Sequence, residues 1–392
     1  MEKKVPEIRF DGFSGEWEDC NLKSLCSSFS YGLNASAIKF DGVNKYLRIT
    51  DIDENSRHFD KSVLTSPGAD LLKSDDYLLK SGDILFARTG ASVGKTYIYN
   101  EQDGKVYFAG FLIRASVNDN VCAQFIFLST QTHEYAKFVI TTSQRSGQPG
   151  INANEYSEYR LFIPCEKEQT KIGNTFQKLD SLINQQQQKH DKLSSIKKAM
   201  LEKMFPKQGE TIPEIRFKGF SGEWEEKNID ELCSISTGKN NTQDKVPEGK
   251  YPFYVRSATI ERSNNYIFDE EAVLTVGDGV GTGRVYHYVN GKYDLHQRVY
   301  RMFDFTGIDA KYFYHYFSNN FYDRVMSMTA KTSVDSVRLD MIANMNILLP
   351  VLGEQKKIAT FLNEIDTLIN QHQQQITKLN NIKQACLSKM FV

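Results

Sequence analysis

The segment GASVGKT (90–96) has the residue types of a phosphate-binding loop: glycines that free backbone amides, and a lysine to meet phosphate charge. The spacing fails. A Walker loop needs four residues between its glycines, whereas Gly90 and Gly94 enclose three. A second glycine-rich stretch, EAVLTVGDGVGTGRVYHY (271–288), aligns so that Gly90 matches Gly279, Gly94 matches Gly283 and Lys95 matches Arg284. It places Val285 where a nucleotide site needs a hydroxyl, so neither stretch is read as one. Each is preceded by an apolar run (ILFA, AVLTV) and followed by an aromatic one (YIY, VYHY). That order predicts a strand, a glycine turn, one basic residue and a second strand. Two readings fit: a turn offering amides and a cation to a DNA backbone, or an ordinary glycine-rich hairpin with one exposed cation.

Further along, GKVYFAGFLIRAS (104–116) matches GKYDLHQRVYRMF (291–303), and polar loops follow at 141–156 and 328–340. Gln, Asn, Arg, Ser and Thr dominate these loops, and such side chains hydrogen-bond phosphates and base edges. Chosen by side-chain type and loop position, the candidate DNA contacts in the first half are Arg88, Thr89, Lys95, Arg114, Gln144, Arg145, Gln148 and Asn152. In the second half they are Lys239, Asn240, Arg256, Arg284, His296, Gln297, Arg298, Lys331, Ser333 and Arg338.

Signs of catalysis are missing. The nine prolines are all isolated, which excludes the Pro-Pro motif of amino-methyltransferases, and HExxH and kinase signatures are absent. His190 and His372 have no acidic or cysteine partner at metal-ligand spacing. The chain reads as non-catalytic, with no cofactor or metal of its own.

What must position these residues is a frame that occurs twice. VPEIRFDGFSGEWEDCNLKSLC (5–26) returns at 212–233 with 15 of 22 positions identical, and the segment 168–205 returns at 354–391 with 20 of 38 identical. Little of the sequence between them matches, so two dissimilar inserts sit in similar frames. In the second repeated segment, apolar residues fall at alternating steps of three and four. They are Ile172, Phe176, Leu179, Ile183, Leu193, Met200 and Met204, then Ile358, Leu362, Ile365, Ile369, Ile376, Leu379, Cys386 and Met390. This is the seam of a coiled coil, and about 36 helical residues span ~54 Å. Gln186, His190 and His372 make the seam polar at mid-length, either to set register or as a solvated stretch. Antiparallel pairing is expected, because it separates the inserts.

At 392 residues the chain is long enough for two or three domains, and its 40% hydrophobic and 25% charged content is that of a soluble globular protein. The charged start MEKKVPEIRF does not resemble a signal peptide, no stretch approaches the ~18 apolar residues of a membrane span, and six scattered cysteines predict reduced thiols in a cytoplasmic protein. Net charge is −1, and the inserts are balanced, with 14 basic against 16 acidic residues at 27–166 and 13 against 13 at 234–353. A DNA-binding role would require basic side chains sorted onto one face, or a partner that supplies phosphate attraction.

PEIRF-G-F-SGEW, an insert with GDILFARTG-x₃-GK, a P-x₃-EQ lead-in and a long helix ending KMF, all present twice, closely resemble the specificity subunit of a Type I restriction–modification system. The resemblance covers essentially the whole chain. It implies an α+β architecture: two mixed target-recognition domains with small twisted sheets, separated by two long antiparallel coiled-coil helices with pseudo-two-fold symmetry. Residues 1–167 and 207–353 would be the recognition domains, with 168–206 and 354–392 the spacer helices. Each domain would read one half of an asymmetric bipartite target in double-stranded DNA. Two methyltransferase subunits, using S-adenosylmethionine, would dock on the helices and methylate adenine. Two motor–nuclease subunits, using ATP and magnesium, would join in the full restriction complex. The other reading of the duplicated frame is an adaptor with two interaction domains on a coiled coil and no DNA role.

Overall fold

The computed structural model describes residues 4–54, 56–279, 281–328 and 336–392. The chain divides into two compact units, Met1–Gln185 with Gln375–Val392, and Gln186–Gln374. Two long helices, Glu166–Met204 and Leu352–Lys389, contribute to both units. Each unit thus holds one mixed head, the start of one long helix and the end of the other.

The helical seam follows the apolar periodicity: Ile172, Phe176, Met204, Ile358, Leu362, Ile365, Ile376 and Met390 are buried. In the first unit Phe176 lies against Phe391 (centroids 6.3 Å apart) and Asp180 pairs with Lys383 at 2.7 Å. In the second, Gln186 meets the His372 ring nitrogen at 2.6 Å and Lys197 pairs with Asp366 at 2.5 Å. As numbers rise along one helix they fall along the other, so the segments within each unit are antiparallel. The Gln186–His372 contact gives the polar part of the seam a specific partner, the arrangement that sets register.

The duplicated words in the sequence make duplicated contacts. Arg9 grips Glu168 through two hydrogen bonds (2.8 and 2.7 Å) and donates to the Gly15 carbonyl. Arg216 does the same to Glu354 (2.7 and 2.8 Å) and to Gly222. Next to each carboxylate a glutamine ties helix to head: Gln169 accepts from the Cys122 amide and donates to the Pro164 carbonyl, while Gln355 accepts from Asp309 and donates to Pro350. The PEIRF segment also reaches the end of the other helix, since the Ile8 amide donates to Lys389 and the Ile215 amide to Lys203, both at 2.8 Å.

The first head carries a four-stranded antiparallel sheet in the order Cys26–Tyr31, Leu112–Val117, Asp83–Ala87, Thr96–Ile98. The second has a six-stranded sheet whose first four strands, Ser234–Thr237, Val299–Phe303, Phe268–Val276 and Tyr286–Leu295, repeat that order. Tyr251–Tyr254 and Ile260–Ser263 extend it. The central run Asp83–Ala87 is buried throughout because both its faces are covered. Ile84 and Phe86 feed one cluster with Trp17 and Phe125, and Leu85 and Ala87 feed another with Leu47 and Phe108. A two-stranded ribbon closes each head onto its helix, Glu18–Asn21 with Arg160–Ile163 and Glu225–Asn228 with Asn346–Leu349.

All six cysteines are free, and burial pushes the equivalent thiols of Cys26 and Cys233 up to about 12. Among the described residues no helix is long and apolar enough to cross a membrane, and no cluster of His, Cys, Asp and Glu could hold a metal.

One buried group is expected to make the second unit acid-sensitive. His315, on the helix Ala310–Ser327, is 1% exposed and 3.3 Å from Asn363 of the closing helix. Burial, reinforced by Lys197 and opposed by Asp366, pushes its pKa down to about 4. The folded state therefore holds the neutral ring. The associated stability is complete above the unfolded value of about 6.5 and is lost as pH falls from there towards 4. By pH 5 the loss is about 2 kcal/mol. His315→Gln should flatten this part of the pH dependence in thermal unfolding scans between pH 7 and pH 5. An unchanged slope would refute it.

Candidate nucleic-acid interface

In each head the glycine turn, the turn before the next central strand and the later polar loop come together at one edge of the sheet. The amide of Arg88 donates to the Phe111 carbonyl (3.1 Å), and the Ile151 amide donates to the Arg88 carbonyl (2.9 Å). In the second head Gly277 donates to Arg298 (2.8 Å) and Val337 to Gly277 (2.7 Å). Isolated bridges Thr89–Gly150 and Asp278–Ser336 complete the match. Both glycines at the turn entrance, Gly90 and Gly279, have positive φ (74° and 88°), a conformation that favours glycine. The two stretches therefore form the expected strand, glycine turn and strand, and Ile151 and Val337, at the far ends of the polar loops, hydrogen-bond back onto them.

The candidate residues divide by placement. In the first head Gln144, Arg145, Gln148 and Asn152 are exposed, and Arg88 and Thr89 are half-buried. Arg88 lies 4.8 Å from the Tyr31 ring centroid. Arg145 is held by the Thr142 and Gln144 carbonyls and by Glu155, and Asn152 caps the helix Ala153–Ser157. Lys95 departs from the expected exposed cation. It is 7% exposed, donates to the Ile52 carbonyl at 3.2 Å and pairs with Glu54. Arg114 is also spent internally, on the Leu78 carbonyl (3.2 Å), beside Asp83 and over the Phe108 ring (5.1 Å).

In the second head Lys239, Arg256, Arg284, Gln297, Arg298 and Arg338 are exposed. Asp278 stands between Arg256 (3.5 Å) and Arg298 (3.7 Å), fixing two cations beside the glycine turn. Arg284 lies over Tyr322, 4.3 Å from its centroid, so the counterpart of Lys95 points outward. His296 is 3% exposed and accepts from the Arg298 amide at 3.0 Å; burial, then Arg256, lowers its pKa. Asn240 is bound to Asp294 through both carboxylate oxygens (2.7 and 2.9 Å). Lys331 and Ser333 lie outside the described residues.

Sequence reasoning passed over Tyr31, Phe111, Asp278 and Tyr322, all part of these edges. It also passed over Gly32 and Gly238, which hold the turn in place. A Cβ on Gly32 would stand 2.2 Å from the Ala109 carbonyl oxygen, and one on Gly238 2.1 Å from that of Leu295. Backbone must move to admit it. Gly238→Ala should therefore cost about 1–3 kcal/mol in thermal unfolding, with backbone amide shifts centred on residues 295–299. Wild-type stability and spectrum would show that the close approach is not required.

A sequence profile described as the Type I restriction modification DNA specificity domain matches residues 14–195 and 221–381. The chain is 26% identical over 162 residues to the EcoDI specificity subunit of Escherichia coli, a match covering 41% of this chain and 35% of that one. It is 21% identical over 348 residues to the MjaVIII specificity subunit of Methanocaldococcus jannaschii, covering 82% of this chain and 80% of the relative. The Type I restriction–modification S subunit from M. genitalium has the same fold, with a TM-score of 0.70 at 14% identity over 99% of both chains.

Proposed function

The chain belongs to the family of Type I restriction–modification specificity subunits, and from that premise we propose that it selects the DNA target of a methyltransferase complex without itself performing chemistry. Residues 1–167 and 207–353 act as the two recognition domains, and 168–206 and 354–392 as the helices that space them. Each domain reads one half of a bipartite, non-palindromic site. The observation that carries this reading is the shared hydrogen-bonded edge of the two heads, which presents a different set of exposed polar side chains in each. An adaptor has no need for one frame with two divergent polar edges.

The exposed and half-exposed candidates form the proposed contact set: Arg88, Thr89, Gln144, Arg145, Gln148 and Asn152 in one domain, and Lys239, Arg256, Arg284, Gln297, Arg298 and Arg338 in the other. Lys95, Arg114, Asn240 and His296 act beneath that surface, holding the turns that carry it. Bidentate Arg and Gln contacts suit guanine and adenine edges, while the remaining cations suit phosphate.

Two methyltransferase subunits dock on the helical pair and methylate adenine, and motor–nuclease subunits join for restriction. With a net charge of −1 and balanced inserts, the chain needs its partners to supply much of the phosphate attraction. Purified alone, it is expected to bind duplex DNA weakly. Adding the methyltransferase should give specific binding that weakens steeply between 50 and 200 mM salt, by roughly a thousandfold if six or more phosphates are neutralised. Tight sequence-specific binding by the isolated chain would count against this division of labour.

A further inference from the structure

The turn Ala109–Leu112 in the first head and His296–Val299 in the second are the same element. Each is closed by its own hydrogen bond, Leu112 to Ala109 (2.8 Å) and Val299 to His296 (2.9 Å). Each is tied to the glycine turn, through Arg88 to Phe111 and Gly277 to Arg298. Each packs against a glycine that leaves no room for a side chain, Gly32 or Gly238. What differs is the tip. The second head carries Gln297 and Arg298, both exposed, and the first carries Gly110 and Phe111. Phe111 is 64% exposed and belongs to no apolar cluster, although the strand residues that follow it, Leu112 and Ile113, are fully buried. An exposed ring on a turn bonded to the Arg88 amide, outside every apolar cluster, contributes little to the packing of the head.

We propose that this turn is a specificity-determining tip in both domains. Phe111 gives the first an apolar contact of the kind that fits a thymine methyl, and Gln297 with Arg298 gives the second hydrogen-bonding groups for purine edges. The inference rests on the DNA-reading role proposed above and adds which element reads and how the two halves differ. A base-edge contact discriminates by direct fit, and the thymine methyl is the one apolar feature of the major groove.

The test uses the full chain with its methyltransferase, mapping methylated sites by sequencing and measuring methylation rates on duplex substrates. Phe111→Ala should slow methylation about tenfold or relax a position in the first half-site only, with thermal stability unchanged. Phe111→Leu, which stays apolar, should retain most of the wild-type rate. The double variant Gln297→Ala/Arg298→Ala should affect the second half-site only. Replacing thymine by uracil in the first half-site removes the methyl, and should slow the wild-type complex but not Phe111→Ala. If the wild-type chain directs methylation to a bipartite site while Phe111→Ala leaves its rate and map unchanged, the tip assignment is overturned and the DNA-reading role stands. If the wild-type chain directs no methylation, that role fails and the tip assignment with it.

Discussion

Replacing Glu354 with alanine is expected to destabilise the second unit by about 3–5 kcal/mol, the usual cost of stripping one partner from a buried ion pair. The Glu354 side chain is 1% exposed and that of Arg216 is 14% exposed. Once the carboxylate is gone, the guanidinium keeps only the Gly222 and Ser221 carbonyls. The geometry is fork to fork, the strongest form of the Arg–carboxylate contact, and lysine cannot reproduce it. Arg216→Lys should therefore also lose stability, though less. Glu168→Ala should do to the first unit what Glu354→Ala does to the second, because Arg9 and Glu168 (15% and 1% exposed) form the same clamp. Thermal unfolding followed by hydrogen exchange reads both effects. Near-wild-type stability in Glu354→Ala would show that the clamp contributes nothing net.

The second large effect is expected from Phe317→Ala. Phe317 is fully buried, stacks on Phe321 (4.4 Å) and Phe313 (5.5 Å), and meets the Tyr286 ring edge-on at 5.7 Å. Truncating such a ring removes its transfer free energy and leaves a cavity, together about 3–5 kcal/mol. Its cluster contains Trp224, Tyr312 and Ile358, whereas that of the first unit contains Trp17, Phe125 and Ile172. Hydrogen exchange should therefore accelerate in the second head while the sheet strands Asp83–Ala87 and Leu112–Val117 of the first keep their protection. Equal loss of protection in both would mean that the two cores unfold as one.

The fold was legible where the chain repeats itself. The 3-4 spacing from Ile172 onward gave the helical seam, and the runs ILFA and AVLTV gave the strands around each glycine turn. The reason for the repetition lies in contacts between segments far apart in sequence. Arg9 belongs to one repeated block and Glu168 to the other, and only the folded chain shows that each copy of the first block clamps a copy of the second. At the candidate interface, side-chain type was a poor guide to placement. Lys95 and Arg284 align in sequence, yet Lys95 turns inward to a carboxylate and carbonyl supplied by the loop around Ile52, and Arg284 turns outward over Tyr322. Asn240 looks like a base reader until its amide nitrogen is found donating to the Asp294 carboxylate. The exposure of Phe111 is not legible in the sequence, because an aromatic residue beside a strand reads as core and nothing local marks it as the tip of a turn.

The proposed DNA-reading role is decided by a map of DNA methylation in cells that carry the methyltransferase partner, with and without this chain. The expected result is adenine methylation at a single split, non-palindromic sequence that vanishes when the chain is removed. Exchanging residues 207–353 for the corresponding insert of another specificity subunit should change one half of that sequence and leave the other untouched. Methylation that persists without the chain, or an exchanged insert that alters both halves or neither, would contradict it.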